Sequence, residues 1–164
     1  MVILGIDPGL QKTGWGIIKY EGNNLSYIAS GTIRSDEKQE MPERLKSIYE
    51  GIRKVIDIYN PDEVAVEETF VNKNAMSSLK LGHARGAAIV AATALSVPVS
   101  EYAATLVKKS VVGVGRAEKD QVQVMIKHIL PGAKADTSDA ADALAVAICH
   151  ANHSKSFSYL QKKA

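Results

Sequence analysis

The chain has 164 residues, of which 46% are hydrophobic and 23% are charged, as expected for one folded domain with a substantial core. Its single cysteine, Cys149, excludes an intrachain disulfide and favours a reducing compartment. Asp7 follows the first residue too closely for a secretory signal peptide, and no apolar run is long enough to cross a bilayer. These features predict a soluble cytoplasmic protein.

The net charge of +2 is unevenly distributed along the chain. Residues 1–68 have a net charge of −4, whereas residues 69–164 have a net charge of +6. Three acids, Asp136, Asp139 and Asp142, lie close together within the basic part. A basic surface around an acidic cluster suggests a polyanion held around bound cations. From charge alone, an ordinary solvated surface is an equally good explanation.

The first half of the chain predicts strands and one helix. An apolar run over Val2–Asp7 ends at an Asp-Pro-Gly turn and indicates a buried strand. Two further strands are expected at Gly14–Tyr20 and Leu25–Arg34, joined by a turn that contains glycine and asparagine. The apolar spacing over Pro42–Tyr59 predicts an amphipathic helix, and Glu63–Glu67 is expected to form a fourth strand.

The second half predicts mainly helices. After a polar loop at 69–74, we expect a helix up to about Ser96 and a fifth strand at Pro98–Tyr102. The last three helices are expected at Ala103–Val112, at Glu118–Leu130, and from a cap at Thr137 or Ser138 to about His153.

This order of elements predicts an α/β fold with a mixed five-stranded sheet and helices on both faces. We expect one domain at 1–153 and a basic, flexible tail at 154–164. The strands Val2–Asp7 and Glu63–Glu67 should be parallel, so that their C-terminal ends meet at the edge where α/β sheets usually hold their sites.

Acidic residues stand at both of these strand ends. Asp7 ends the first strand, and Glu67 and Glu68 end the fourth. Asp7 alone is equally explained as a turn residue before Pro-Gly, and a charged pair often marks only the point where a strand reaches solvent. Since side chains alternate along a strand, only one glutamate can face a site, and periodicity does not choose between them.

A second acidic pair lies at the start of the last predicted helix. Asp139 and Asp142 are three residues apart, so their carboxylates project from one side, near the positive end of the helix dipole. Compensation of the helix dipole by a negative charge explains well why an acid stands at position 139. It explains Asp142 less well, because the neighbours of Asp142 are alanines and leucine, and an acid among apolar residues needs a cation or a hydrogen-bonding partner.

Carboxylates that converge repel one another unless cations neutralise them. Oxygen ligands without a histidine or cysteine cluster favour Mg²⁺, with Mn²⁺ as a substitute, over zinc. Two such ions, roughly 4 Å apart, are suited to phosphodiester hydrolysis. The acidic residues of this chain therefore favour a metal-dependent nuclease.

The thiol of Cys149 follows Ala147 and Ile148 on a helical face and is expected to belong to the core. The histidines are scattered and are expected to be structural or exposed, namely His83, His128, His150 and His153.

Seven short segments that surround these acids and connect them occur in a fixed order, namely Gly5-Ile6-Asp7-Pro8-Gly9, Ala65-Val66-Glu67, Leu79-Lys80-Leu81-Gly82, Ala84-Arg85-Gly86, Glu101-Tyr102-Ala103-Ala104, Val111-Val112-Gly113 and Asp139-Ala140-Ala141-Asp142-Ala143-Leu144-Ala145. Together they resemble the RuvC family, the bacterial resolvases of Holliday junctions. Each segment alone is weakly specific, but the ordered set is highly specific and extends from Ile3 to about His150.

The resemblance implies a ribonuclease-H-like fold and a structure-selective endonuclease that resolves four-way DNA junctions in recombination and repair. It implies four catalytic, metal-binding acids, Asp7, Glu67, Asp139 and Asp142, and so selects Glu67 over Glu68. It also implies a homodimer that cooperates with a branch-migration helicase complex of the RuvA and RuvB type. We expect hydrolysis to leave 5′-phosphate and 3′-hydroxyl ends, which can be religated.

Four residues are candidates for contact with DNA. Phe70 lies in a polar loop beside Lys73, where an aromatic side chain can stack on unpaired bases, although a loop anchor in the core is comparably plausible. The resemblance matches Phe70 to an aromatic used near the junction centre. It matches Lys108 and Lys119 to lysines that contact DNA or assist the reaction; the residues themselves indicate only basic side chains, solvated or bound to phosphate.

A four-way junction has near two-fold symmetry, and its resolution requires two matched cuts, which favours an isologous dimer. The helix that follows the Phe70 loop has more apolar and small residues than one buried face requires. The alternative is that this helix is buried within its own domain. The candidate interface residues are Leu79, Gly82, Gly86, Ala87 and Val90.

Three other functions are compatible with parts of the pattern. The segments Asp7-Pro8-Gly9 and Lys12-Thr13-Gly14 resemble the phosphate loop of actin- and hexokinase-like ATP-binding proteins, but those proteins need two such halves and only one is present. A related nuclease of the same fold that acts on RNA or hybrids uses the same chemistry. A non-catalytic junction-binding protein is disfavoured, because carboxylates facing phosphates weaken binding unless metals are bound.

Overall fold

The computed structural model describes residues 1–68, 74–113 and 119–161 of the chain, and within these ranges the side chains of Lys119 and of residues 155–161 are not described. The strands are β1 (Val2–Asp7), β2 (Lys12–Glu21), β3 (Asn24–Arg34), β4 (Glu63–Glu67) and β5 (Val99–Tyr102). The helices are α1 (Met41–Tyr59), α2 (Ala75–Thr93), α3 (Ala104–Val112), α4 (Lys119–Ile129) and α5 (Ser138–Gln161).

The strands form one five-stranded sheet in the order β3-β2-β1-β4-β5. Strands β1, β2 and β3 pair in antiparallel fashion, as expected for a meander with short turns. Strand β4 pairs in parallel with β1 on one side and with β5 on the other. The predicted mixed sheet, and the predicted parallel pairing of the first and fourth strands, are therefore confirmed.

The alternation of side chains divides the core between the two faces of the sheet. On one face, Ile3, Ile18 and Ala65 pack against helices α3, α4 and α5. On the other face, Leu4 and Ile6 belong to the core cluster that includes the buried residues of α1 and α2. The helices thus cover both faces, as predicted. Among the described residues, no helix combines the length and the apolar character needed to cross a membrane.

The predicted end of the last helix was wrong. Helix α5 does not end near His153 but continues to Gln161. Residues 154–161 contain neither glycine nor proline, so no helix-terminating residue is present there. The hydroxyl of Ser154 donates a hydrogen bond to the carbonyl of Ala151, 3.0 Å away, within the helix. The division into a domain at 1–153 and a tail at 154–164 stays a prediction.

Helix α5 lies unusually close to the sheet because glycines face it. A Cβ atom added at Gly5 of β1 would lie 2.1 Å from the carbonyl oxygen of Ala143. A Cβ atom added at Gly14 of β2 would lie 1.9 Å from the carbonyl oxygen of Asp139. Both obstacles are backbone atoms, which cannot rotate away. The glycines therefore set the distance at which the acidic start of α5 stands above the sheet.

We expect the substitution Gly5→Ala to destabilise the protein by about 1–3 kcal/mol, because an inserted methyl group in a tightly packed interior forces the backbone to move. Urea unfolding followed by circular dichroism measures the change in the free energy of unfolding. A denaturation midpoint equal to that of the unaltered chain would contradict the close contact between β1 and α5.

Candidate active site

Three of the four predicted catalytic acids lie around one cavity. Asp7 ends β1 and Glu67 ends β4, and the parallel register pairs the preceding residues Ile6 and Val66, so both acids emerge at the same edge of the sheet. Asp142 approaches them from α5. These three acids and Lys108 of α3 line a cavity of about 250 Å³. The edge is the one at which α/β sheets commonly hold their sites.

The packing of β4 distinguishes the two glutamates. Ala65 belongs to the core cluster beside α5, whereas Val64 and Val66 belong to the cluster beside α1 and α2. By alternation, Glu67 shares the face of Ala65 and turns toward α5, where it lines the cavity. Glu68 is exposed, and its backbone N–H donates to the carbonyl of Tyr102, 2.8 Å away. The position of Glu67 agrees with the family resemblance, which selects Glu67 rather than Glu68 as the site residue.

The start of α5 is fixed to the sheet by a threonine. The Thr137 hydroxyl oxygen accepts a hydrogen bond from the backbone N–H of Ala140, 3.1 Å away, which is the geometry of a helix N-cap. The same hydroxyl lies 2.8 Å from the hydroxyl of Thr32 on β3. Thr137, one of the two predicted caps, therefore anchors the helix turn that presents Asp139 and Asp142.

Asp139 occupies a different position from the other three acids. It lies on the first turn of α5, three residues before Asp142, and lines a neighbouring cleft rather than the cavity itself. The two carboxylates thus stand side by side on the helix but face adjacent spaces.

The cavity has the donor chemistry of a site for a hard divalent cation. Its charged lining consists of carboxylates and one lysine, without a histidine or cysteine. Asp7, Glu67 and Asp142 each already have a polar or electrostatic partner. Within the described residues, no three acidic, histidine or cysteine side chains form a ready metal-binding group. The oxygen donors of the lining are those that hard divalent cations prefer.

Lys108 is the only predicted DNA-contacting residue whose side chain the structure describes. It places a cationic side chain in the wall of the cavity that the three carboxylates also line. Lys119 begins α4, but its side chain lies outside the described part of the chain, and so do Phe70 and Lys73 altogether. A role for these three residues stays a prediction.

A buried polar network extends behind the acids. The ring of His150 lies between the Tyr102 hydroxyl, 2.8 Å from Nδ1, and a carboxylate oxygen of Glu63, 2.5 Å from Nε2. The Ser110 hydroxyl donates to the sulfur of Cys149 over 3.2 Å. His150 and Cys149 are both buried, which agrees with the structural roles predicted for them, whereas His83 and His128 are exposed.

Burial raises the pKa of the Cys149 thiol, and the charge of Glu67 adds to this effect, while the Ser110 hydrogen bond opposes it. A raised pKa keeps the thiol protonated at neutral pH, and a protonated thiol is a poor nucleophile and a poor metal ligand. Burial also raises the pKa of the Tyr102 phenol. Neither group competes with the carboxylates for a cation in the cavity.

Comparison with known proteins agrees with this arrangement. The family model described as "Crossover junction endodeoxyribonuclease RuvC" matches residues 3–150. The crossover junction endodeoxyribonuclease RuvC of Paramagnetospirillum magneticum is 58% identical over 153 residues, which are 93% of this chain and 92% of that protein. The protein of the same name from Brucella anthropi is 54% identical over 154 residues, covering 94% and 90% of the two chains.

A solved structure of T. thermophilus RuvC in complex with Holliday junction substrate superimposes with a TM-score of 0.87 and 34% identity, covering 94% of each chain. A further structure of Thermus thermophilus RuvC gives a TM-score of 0.84 at the same 34% identity, covering 94% of this chain and 96% of that one. The match over nearly the whole length confirms the predicted ribonuclease-H-like fold. The chain therefore belongs to the RuvC family of crossover junction endodeoxyribonucleases.

Proposed function

We propose that this chain resolves four-way (Holliday) DNA junctions in the cytoplasm, during recombination and repair, by cutting one phosphodiester bond in each of two strands. Each cut is a metal-dependent hydrolysis that leaves a 5′-phosphate and a 3′-hydroxyl end. The observation that supports this most directly is the cavity lined by Asp7, Glu67, Asp142 and Lys108 at the parallel edge of the sheet, in a chain of this family.

The acids of the cavity would hold the metal, for which we propose Mg²⁺, with Mn²⁺ as a substitute and two ions in each site. Asp7, Glu67 and Asp142 line the cavity, and Asp139 stands beside it on the first turn of α5. When bound, such ions activate water and neutralise charge on the leaving oxygen. Carboxylates that no cation neutralises repel the phosphates of DNA. A phosphate can therefore approach these acids only where a metal ion is bound between them.

Lys108 is suited to orient the phosphate that is cut. It lines the same cavity as the three carboxylates, so a phosphate that enters the cavity meets a cationic side chain there. The resemblance likewise matches Lys108 to a lysine that contacts DNA or assists the reaction. The same proposal extends, on the sequence alone, to Phe70, Lys73 and Lys119 as residues that contact the junction.

We expect Lys108→Ala to slow junction cleavage by a factor on the order of ten to a hundred, since one charge-assisted contact to a reacting phosphate is worth roughly 1.5–3 kcal/mol. Single-turnover cutting at saturating enzyme measures this effect apart from binding. Lys109→Ala provides a matched control, because Lys109 is the exposed neighbour on α3 and does not line the cavity. Equal cleavage rates for the two variants would contradict a role for Lys108 in the reaction.

A homodimer is part of the proposal, and the surface of α2 supports it. Leu79 and Val90 are 54% and 55% exposed, although both are large and apolar. Gly82 and Gly86 lie between them, and nothing within 4 Å would meet a Cβ atom at either position. Ala87 instead packs partly against the core of its own domain. We therefore propose the exposed stripe of α2 as the interface, with Ala87 at its margin.

The experiment that tests the function compares three substrates. A synthetic four-way junction, the matching duplex and an RNA–DNA hybrid are incubated with the chain, with and without Mg²⁺. We expect paired nicks in the junction alone, only with the metal, and expect those nicks to be closed by DNA ligase. Preferential cutting of the hybrid would assign the chain to a ribonuclease function instead. Addition of a branch-migration helicase of the RuvA and RuvB type tests the proposed cooperation.

A further inference from the structure

A second space lies beside the active-site cavity. It is a cleft of about 590 Å³ where the loop between β1 and β2 meets the N-terminal ends of α1, α2 and α5. Its charged lining consists of Lys12, Arg44 and Lys80 together with Glu37 and Asp139. We call this space the basic cleft.

The charges of the basic cleft are not equally available to a ligand. The Arg44 guanidinium donates to the Ser35 hydroxyl over 3.0 Å and to the carbonyl of Leu10 over 3.4 Å, so it holds the loop that follows Asp7. Glu37 accepts a hydrogen bond from the side-chain amide of Gln11. Arg44 and Glu37 therefore have partners within the protein.

Lys12 and Lys80 differ from these residues. Both side chains are exposed, and throughout the described ranges neither ammonium group takes part in a hydrogen bond or an ion pair. Two ammonium groups that stand in one cleft without a protein acceptor are available for an anion. Their separation in sequence means that the fold, rather than a local motif, brings them together.

The position of the basic cleft suggests which anion it takes. Asp139 lines the cleft and Asp142 lines the cavity, and three residues of helix separate them by about 4.5 Å along the axis. The loop that lines the cleft begins at Gly9, two residues after Asp7. A DNA strand has one phosphate about every 3.4 Å of helix axis. A strand that runs from the cavity along the first turn of α5 would therefore present its next phosphates to the cleft.

We propose that the basic cleft binds the backbone of the strand being cut, next to the scissile phosphate, with Lys12 and Lys80 as its phosphate contacts. Arg44 acts as a positioning residue, since it holds the loop that joins Asp7 to Lys12. The inference rests on the proposed function. It adds a second set of cationic contacts beside the cavity that Lys108 lines, so that the cut strand is held at more than the scissile phosphate.

Binding as a function of salt tests the proposal. The full chain with Asp142→Asn, which prevents cutting, is compared with the same chain bearing Lys12→Ala, Lys80→Ala or both. Each lysine that contacts a phosphate should lower the slope of log affinity against log salt by about 1 when removed. We expect affinity for the junction to fall on the order of three- to tenfold for each variant at low salt. Both side chains are exposed, so the fold should be retained.

Lys54→Ala is the matched control, because Lys54 is an exposed lysine of α1 that does not line the cleft. A second arm replaces single phosphates beside the scissile bond by neutral methylphosphonates. In the parent chain we expect one such replacement to weaken binding. In the variant with both lysines replaced by alanine, the same replacement should have no further effect.

The outcomes separate the two proposals. If the unaltered chain fails to cut or to select four-way junctions, the proposed function is wrong. If it cuts junctions, but the lysine variants keep the parent salt slope and the parent sensitivity to methylphosphonates, only the basic cleft is overturned. An equal decrease in the salt slope for Lys54→Ala would also overturn the proposal for the basic cleft, since the decrease would then reflect the overall surface charge.

Discussion

Replacing Asp142 by asparagine is expected to reduce junction cleavage by a factor on the order of 10²–10³ or more, because the variant loses a charged ligand for the metal in the cavity. Asparagine has the same shape and adds no bulk, so the start of α5 should keep its packing between the buried residues Ala141 and Ala143. Junction binding should therefore stay close to that of the unaltered chain. Single-turnover cleavage and equilibrium binding of the same junction separate the two effects.

The same result is expected for Asp7→Asn, Glu67→Gln and Asp139→Asn. Glu68→Gln is the matched control, since Glu68 is exposed and adjacent in sequence to Glu67 but does not line the cavity. If Glu68→Gln proves as damaging as Glu67→Gln, the assignment of the face of β4 fails. If Asp139→Asn retains cleavage while the other three lose it, Asp139 belongs functionally to the basic cleft rather than to the metal.

The order of the elements could be predicted because apolar periodicity reports local structure directly. The strands Val2–Asp7 and Glu63–Glu67 were predicted with the bounds that the structure shows, since turn residues delimit both. The end of α1 was equally clear: Asn60 adopts a left-handed conformation with φ of 44°, and Pro61 prevents continuation. The end of α5 was missed because no such residue marks it.

The candidate site could be predicted only in part. The acids were visible as charged residues at strand ends and in an alanine-rich helix, but the face of β4 that turns toward α5 depends on tertiary packing. The family resemblance, not periodicity, selected Glu67. The contact between Gly14 and the backbone of Asp139 and the pairing of Lys12 with Lys80 in one cleft also depend on the folded chain. No local pattern marks such long-range neighbours.

Helix α2 shows why the sequence alone did not decide whether this helix forms a dimer interface. Its small residues serve two purposes that a one-dimensional pattern does not separate. Ala84, Ala88 and Ala91 are buried against the core, whereas Gly82 and Gly86 face open space. The prediction that this helix has more apolar surface than its own domain uses agrees with the exposed stripe. The alternative of complete burial does not account for the exposure of Leu79 and Val90.

The substitution Val90→Glu is expected to weaken the proposed dimer at least about a hundredfold, because each copy would bury an unpaired carboxylate in an apolar interface, which costs about 3–5 kcal/mol. Val90 is 55% exposed in the single chain, so the charge should be tolerated by the fold. Sedimentation velocity on the free chain and on its junction complex measures the assembly.

Ile58→Glu is the matched control, since Ile58 is an apolar residue on α1 with 60% exposure and lies outside the exposed stripe of α2. We expect Ile58→Glu to stay dimeric and to cut junctions in pairs. Val90→Glu should instead give single nicks or none, because one chain has one set of acids and cannot place two symmetric cuts. If the unaltered chain is monomeric at micromolar concentration both free and on junction DNA, the dimer is excluded. If Val90→Glu sediments as a dimer and cuts in pairs, the interface lies elsewhere on the surface.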